Sequence, residues 1–328
     1  MTRNVNNLIA DIGGTNARFA LVDNNQIHDE LELQCAQFPT LTDAAEHYLA
    51  SVGAATQRPQ QAAFAIAAAL GGDHVSMTNC PWQFSIRNVC NDLKLQRLIV
   101  VNDFTALAMA VRHLTADELL QAGGAQAEAN KPIAVLGPGT GLGVSGLIPA
   151  AGNWIPLEGE GGHVSWSPAD ARETAVLNYL WKKFAHVSTE RVLSGMGLVN
   201  LYTALCALDS KPAHDFKPAD ITTQGLNDTD PICVEALQMF CGILGSAAGN
   251  LVLTLGAKGG VYIAGGIVPR LGDYFLKSPF RQRFESKGRY ESYLKPVPAY
   301  VMTAKRPAFT GLVHAFTSHG PRIEVTGS

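Results

Sequence analysis

The sequence predicts an α/β protein built as two domains, and three observations carry that prediction. Apolar, β-branched runs alternate along the chain with helix-like stretches, as where strands feed helices. A glycine-punctuated hairpin occurs twice, as "LIADIGGTNARFALV" and as "PIAVLGPGTGLGVSGLI", about 125 residues apart, which predicts two related halves. The 328 residues, 47% hydrophobic and 16% charged, are enough to fill two cores of ordinary size.

Residues 7–12 form the first apolar run, Gly13-Gly14-Thr15-Asn16 a turn, and 17–22 a second strand alternating through Phe19 and Leu21. A helix is expected over 40–52, and an apolar strand over 63–69, "AFAIAAA". A strand over 98–101 is followed by a helix from Phe104. Residues 121–132, "QAGGAQAEANKP", are small, polar and Gly/Pro-bearing, the composition of a linker. The second hairpin follows, with Gly137, Gly139 and Gly141 at its turn and Leu142, Val144 and Leu147 along its outgoing strand. "KPAHDFKPAD" and "QGLNDTDP" read as a Pro/Asp-rich surface excursion. Asp230 then caps a helix with Pro231 at its first position, and an apolar stripe from Leu237 to Leu255 runs out at Gly256. "GGVYIAGGIVPR" is one more strand ending in paired glycines, Gly265 and Gly266, and residues 318–328 read as a loosely ordered tail.

Composition narrows the function. A net charge of −3 without a basic cluster argues against nucleic acid and anionic membrane as partners and favours a small molecule. No run of about 18 apolar residues appears. The opening Met1-Thr2-Arg3 passes into polar residues without a signal-peptide core, so a cytoplasmic location is expected. The six cysteines (Cys35, Cys80, Cys90, Cys206, Cys233, Cys241) form no CxC or CxxC pair and read as reduced, mostly buried thiols.

Residues 141–146, Gly-Leu-Gly-Val-Ser-Gly, match GxGxxG. Glycine and apolar residues alternate there as in a strand, however, whereas the dinucleotide fingerprint must open a helix. The chain has no Gly-Lys pair, which excludes a Walker A loop. What remains is phosphate held by backbone N–H groups at two glycine turns, with Thr15, Asn16 and Thr140 adding side-chain donors, or else two ordinary hairpin turns. Asp11, just ahead of Gly13, is placed to hold Mg²⁺ directly or through water, or to cap its own turn.

Asp103 stands at the carboxyl end of the 98–101 strand, where ligands of α/β sheets bind. It reads as a general base, as the N-cap of the helix from Phe104, or as both. Asn102 beside it can bond sugar hydroxyls or satisfy turn backbone. "LEGEGGHVSW" packs Glu158, Glu160 and His163 among glycines, a set suited to clasping vicinal hydroxyls; HExxH is absent. Glu190 sits near a helix start, where the dipole favours a carboxylate in any protein.

Together, "DIGGTNARFALV", "VNDFTALAMA", "PIAVLGPGTGLGV", "EGEGGHVSWSP", "HVSTERVLSGMGLVNLY" and "GGVYIAGGIVPR" resemble the bacterial glucokinase family, from residue 8 to about 315 and in the expected order. The resemblance implies a two-domain actin-like ATPase (ribonuclease H-like) fold with ATP and glucose in the cleft between the domains. The expected division is a small α/β domain of residues 1–112 with 304–328 and a large one of 113–303. It implies ATP-dependent phosphorylation of the glucose 6-hydroxyl to give glucose 6-phosphate and ADP, the chemistry that feeds glycolysis. Asp103 would be the base, and Asn102, Glu160, His163 and Glu190 the sugar-binding residues. Gly13, Gly14, Thr15, Asn16, Gly139, Thr140 and Gly141 would cradle the phosphates, Asp11 would act near Mg²⁺ through water, and Gly265 and Gly266 would border the adenosine. A homodimer is implied too.

The chain departs from the family at Ala69, where a proline is usual near the sugar, and it lacks the zinc-binding cysteines and the helix-turn-helix of related repressors. The rival readings are a non-catalytic sugar sensor and a kinase for mannose or an N-acetylated amino sugar.

Overall fold

The computed structural model describes residues 7–55, 58–77, 80–318 and 320–327. The opening residues weighed above as lacking a signal core, Met1-Thr2-Arg3, lie outside them. The chain divides into two compact units, one of Met1–Thr115, Leu147–Glu158 and Ala304–Ser328, the other of Ala116–Gly146 and Gly159–Thr303.

The first unit is built on the strands β1 (Asn7–Ile12), β2 (Asn16–Asp23), β3 (Gln26–Gln34), β4 (Gln61–Ile66), β7 (Arg97–Asn102) and β14 (Ile323–Thr326); β5 (His74–Ser76) and β6 (Gln83–Ser85) pair separately. The sheet order is β14-β7-β4-β1-β2-β3, with β1, β4 and β7 parallel and the other pairs antiparallel. The three parallel strands read as continuous apolar runs because both of their faces are covered. Leu8, Ala10, Phe64 and Val100 face a core shared with α1 (Leu41–Ser51) and α2 (Ile86–Asp92). Ile9, Ala63, Ala65 and Ile99 face one shared with α3 (Asp103–Ala110) and α11 (Pro307–Ala315). The "AFAIAAA" strand stops at Ile66, earlier than its composition suggests, where Ala67 N–H donates to Ile12 O at 3.0 Å and the chain bends away.

The tail is better ordered than its composition predicts. β14 pairs antiparallel with β7, buries Val325, and brings Glu324 to 2.7 Å from Arg97. A four-residue edge strand with a single buried side chain gives no period to read.

The second unit repeats the design. Its strands are β8 (Leu119–Gln121), β9 (Ile133–Pro138), the start of β10 (Leu142–Ala150), β12 (Val261–Ile263) and β13 (Ala299–Met302); the rest of β10 and β11 (Asn153–Leu157) fall in the first unit, and the sheet order is β11-β10-β9-β12-β13-β8. β9, β12 and β13 are parallel and β8 is antiparallel to β13. A three-residue connection between the neighbours β9 and β10 allows only an antiparallel pair. Each six-stranded sheet thus has a meander, two further parallel strands and an antiparallel edge, so the duplication seen in the hairpins extends to whole sheets. The boundary between the units falls inside β10, at Gly146 and Leu147.

The helices of this unit are α4 (Ala171–Leu180), α5 (Gly195–Leu208), α6 (Pro218–Leu226), α7 (Pro231–Leu255), α8 (Asp273–Lys277), α9 (Phe280–Glu285) and α10 (Glu291–Leu294). α7 begins as its sequence predicts, with Asp230 Oδ1 accepting the N–H groups of Ile232 and Cys233, and ends at Gly256 in the left-handed region. By length and composition α7 could cross a membrane, yet Leu237, Phe240, Ile243, Leu244 and Val252 lie in the unit's core. Part of the expected surface excursion is α6, which buries Ile221 and Gly225. The expected linker at 121–132 lies within this unit and is pinned: Ala122 N–H donates to Ala299 O at 2.7 Å, and the Gln121 side-chain amide reaches the carbonyls of Gly124 and Ala125. All six cysteines are free thiols and buried, as expected.

Candidate active site

The parallel register places the first unit's candidates on one edge. Ile12 pairs with Ile66 and Ile66 with Asn102 across β1, β4 and β7. The Gly13–Asn16 turn and the Asn102-Asp103 pair therefore leave the carboxyl edge of the sheet about 10 Å apart, two strand spacings. That edge is where ligands of α/β sheets bind.

At the β1–β2 turn, Gly13 N–H donates to Asn16 O at 2.9 Å and Cys35 N–H to Thr15 O at 2.8 Å, which fixes the loop from both sides. Asp11 stands opposite Arg18 in the hairpin register, and Arg18 Nη1 lies 3.2 Å from Asp11 Oδ2. Arg18 Nε also reaches Glu32 at 2.7 Å, and Asn16 donates to the other oxygen of Glu32. Burial lifts the Asp11 carboxyl above the usual carboxylate range, and Arg18, which pulls it down, offsets only part of that. A carboxylate under-compensated in this way suits a cation that arrives with its ligand. Arg18 was not singled out from the sequence, although closing the hairpin on Gly13–Asn16 already sets it across from Asp11.

At the end of β7 the roles divide. Asn102, not Asp103, is the N-cap of α3, because the helix starts one residue earlier than expected: Asn102 Oδ1 accepts the N–H groups of Phe104 and Thr105, and its Nδ2 donates to Ala68 O at 3.3 Å. Asp103 is the first residue of the helix, with Oδ1 accepting the Phe104 N–H at 2.9 Å. Asn102 also ties down the strand end beside Ala69, the position where the proline is missing.

In the second unit the β9–β10 turn is closed by Gly139 N–H donating to Gly141 O at 2.8 Å, and Gly139 O accepts the N–H of Gly195, the first residue of α5. Glu190 Oε2 accepts the Leu142 N–H at 2.9 Å. The glycines of this turn and of the β12 end serve different ends. A Cβ on Gly141 would collide with Glu190 Oε2, and Gly137 and Gly265 press against each other's strand ends, Gly265 with φ +82°. Nothing stands within 4 Å of the Cβ position of Gly139 or Gly266. Those two leave backbone open to a ligand, and Thr140 beside them is exposed.

The 157–166 loop is held flat against β10. A Cβ on Gly161 would meet the Val144 side chain at 2.8 Å, and one on Gly162 would collide with Leu142 O. Glu160 and His163 project from it, each more than half exposed, with Oε2 and Nε2 3.9 Å apart. The structure thus groups Glu160 with His163, and Glu190 with the phosphate-type turn, within one unit; Asp11, the Gly13–Asn16 turn, Asn102 and Asp103 belong to the other. Among the described residues no group of three or more His, Cys, Asp or Glu side chains is placed to hold a metal by itself.

Comparison with known proteins identifies the family. The family model described as Glucokinase matches residues 8–319. Glucokinase of Chromobacterium violaceum is 51% identical over 319 residues, 97% of this chain and 91% of that protein. Glucokinase of Neisseria meningitidis serogroup B is 47% identical, covering 95% of each chain. Among solved structures, glucokinase from an Antarctic psychrotroph superposes with a TM-score of 0.84 at 36% identity, covering 93% of this chain and 97% of that one. A ROK family glucokinase from Streptomyces griseus in complex with glucose and AMPPNP shares the fold, with a TM-score of 0.62 at 18% identity, covering 94% of this chain and 97% of that one.

Proposed function

The chain belongs to the glucokinase family and has its actin-like two-domain ATPase fold, and from that footing we propose that it transfers the γ-phosphoryl group of ATP to the 6-hydroxyl of D-glucose. The observation that carries the assignment of the base is the division of labour after β7. Asn102 Oδ1 accepts the Phe104 and Thr105 N–H groups and Asp103 Oδ1 accepts the Phe104 N–H as well, which holds the Asp103 carboxylate at the carboxyl edge of the sheet, where ligands of α/β folds bind. In the reaction the glucose O6–H proton passes to Asp103 as O6 bonds to the γ-phosphorus, and the bond to the bridging oxygen breaks to release ADP.

The residues assigned to glucose are Asn102, through the remaining hydrogen of its Nδ2, and Glu160, His163 and Glu190, whose side chains can bond hydroxyls. Backbone N–H groups of the Gly13–Asn16 and Gly139–Gly141 turns take the phosphates, with Gly265 and Gly266 beside the adenosine. Asp11 fits a hydrated Mg²⁺ that it would hold through water: Arg18 lies on Oδ2, and the burial of the carboxylate is only partly compensated. When bound, that ion neutralises phosphate charge. The division of the sequence into a small domain of 1–112 with 304–328 and a large one of 113–303, a homodimer, a cytoplasmic location and a place in glycolysis are parts of the same reading.

The test is ADP release across a panel of hexoses. Glucose should give the highest kcat/KM, with mannose and N-acetylglucosamine well below it. Turnover of glucose no faster than of those two would overturn the substrate assignment, and no ADP release with any hexose would favour the sugar sensor.

A further inference from the structure

We propose that the second unit carries an effector site for a small uncharged ring compound bearing a hydrogen-bond acceptor, seated behind the sugar loop. A cavity of about 310 Å³ lies between the 161–167 segment, the start of β10 and the outer half of α7, in the lower part of the range that small-molecule sites occupy. Its apolar wall is Leu142, Val144, Trp166, Ile243 and Leu251, and among the described residues no charged side chain lines it. A charged ligand would lose its hydration there without a partner, so the occupant is neutral.

The polar groups of the cavity fix its orientation. Ser246 Oγ accepts from Arg283, which leaves its own hydroxyl hydrogen to donate. Asn250 Oδ1 accepts from Lys287 Nζ at 2.7 Å, which leaves Nδ2 to donate. These two donors, with the hydroxyl-bearing Ser165, Ser167, Thr189 and Thr254 also in the lining, match a ring that carries a carbonyl or ether oxygen.

The cavity's position supplies its consequence, which rests on the sugar assignment above. Three wall residues, Gly161, Val164 and Thr189, are the chain neighbours of Glu160, His163 and Glu190. Glu190 is further tied through Leu142 N–H to β10, another wall. Gly161 has no slack against Val144. A molecule filling the slot braces the loop in the conformation that presents Glu160 and His163, so ligand and glucose strengthen each other's binding by the same factor.

Acetophenone is the probe: one ring, one carbonyl, no charge. With the full chain at millimolar probe, the KM for glucose should fall about fivefold while the KM for ATP stays put. Saturation-transfer NMR should show acetophenone bound, toluene weaker and benzoate absent. Ala247→Trp, which fills the cavity, should abolish both binding and the KM effect. Leu251→Phe serves the same end if the first variant does not fold. Benzoate binding as well as acetophenone, or an effect that survives a filled cavity, would overturn the proposal, as would probe binding that vanishes as protein concentration rises because a second copy covers the slot. If glucose were not a substrate, the NMR arm would still decide the site. If glucose turned over normally and the probe did nothing, the site alone would fall.

Discussion

Asn102 Oδ1 accepts the backbone N–H groups of Phe104 at 2.9 Å and Thr105 at 3.3 Å, and so closes the helix whose first residue is Asp103. Asn102 caps the helix and Asp103 is the proposed base, so substitutions should separate the two jobs. Asp103→Asn keeps the shape and removes the base: kcat should fall by about 10²- to 10⁴-fold with glucose affinity nearly unchanged. Near-normal kcat, measured by coupled ADP assay alongside glucose titration by calorimetry, would take Asp103 out of the reaction.

Asn102→Ala should behave differently. It removes a cap worth about 0.5–2 kcal/mol and the bond to Ala68 O, so the melting temperature should drop and KM for glucose should rise. A loss confined to kcat, with thermal stability intact, would contradict the cap assignment.

Asp11 predicts a trade between stability and activity. Its folded-state pKa is raised by burial, with Arg18 pulling the other way, so the ionised form costs stability once the pH exceeds the unfolded value near 3.8. That cost grows as pH rises towards the folded pKa and is full above it. Asp11→Asn removes the cost and can still accept from Arg18. At neutral pH its Tm should be equal or higher, while the Mg²⁺ concentration needed for half-maximal activity rises at least about tenfold. A lower Tm with an unchanged Mg²⁺ requirement would mean that the residue serves the fold alone.

Gly141 predicts a link between the β9–β10 turn and Glu190, proposed above to bind the sugar. A Cβ there displaces Glu190 Oε2 from the Leu142 N–H. Gly141→Ala should therefore raise KM for glucose by about tenfold, on the order of a lost charge-assisted hydrogen bond. Gly139→Ala, which has open space, should act on KM for ATP instead. Equal effects of both variants on both substrates would remove the distinction between the two glycines.

Much of this was legible in the sequence because the strands that matter are buried on both faces and announce themselves as apolar runs. The two hairpins could be matched by eye, and the α7 cap and its Gly256 stop follow from local chemistry that tertiary packing does not override. The 121–132 segment has a linker's composition without being one, because small and polar residues also suit a segment pinned by backbone hydrogen bonds. The tail was missed because β14 owes its existence to β7, far away in sequence. At the site, the residue types were readable, but the exchange of roles between Asn102 and Asp103 turns on where the first helical turn begins, a one-residue matter below the resolution of pattern. Arg18 needed the hairpin register, not a motif.

His113 and His314 give the first unit a loss of stability on the acid side of neutrality. Their rings stack with centroids 3.4 Å apart and planes 11° from parallel, joining the segment after α3 to the last turn of α11. Burial lowers both pKa values; for His113 the neighbouring His314 and Arg112 lower it further. Arg112 is itself held over the Trp154 ring, which keeps that positive charge nearby. Because the folded state resists protonation, the unfolded chain binds more protons below about pH 6.5, and stability falls as pH drops from there through the folded values. Chemical unfolding followed from pH 7.5 to 5 should show this loss. His314→Gln, which cannot protonate and relieves its partner, should flatten the slope while leaving the melting temperature at pH 7.5 within a few degrees. An unchanged slope in that variant would assign the acid sensitivity to other groups.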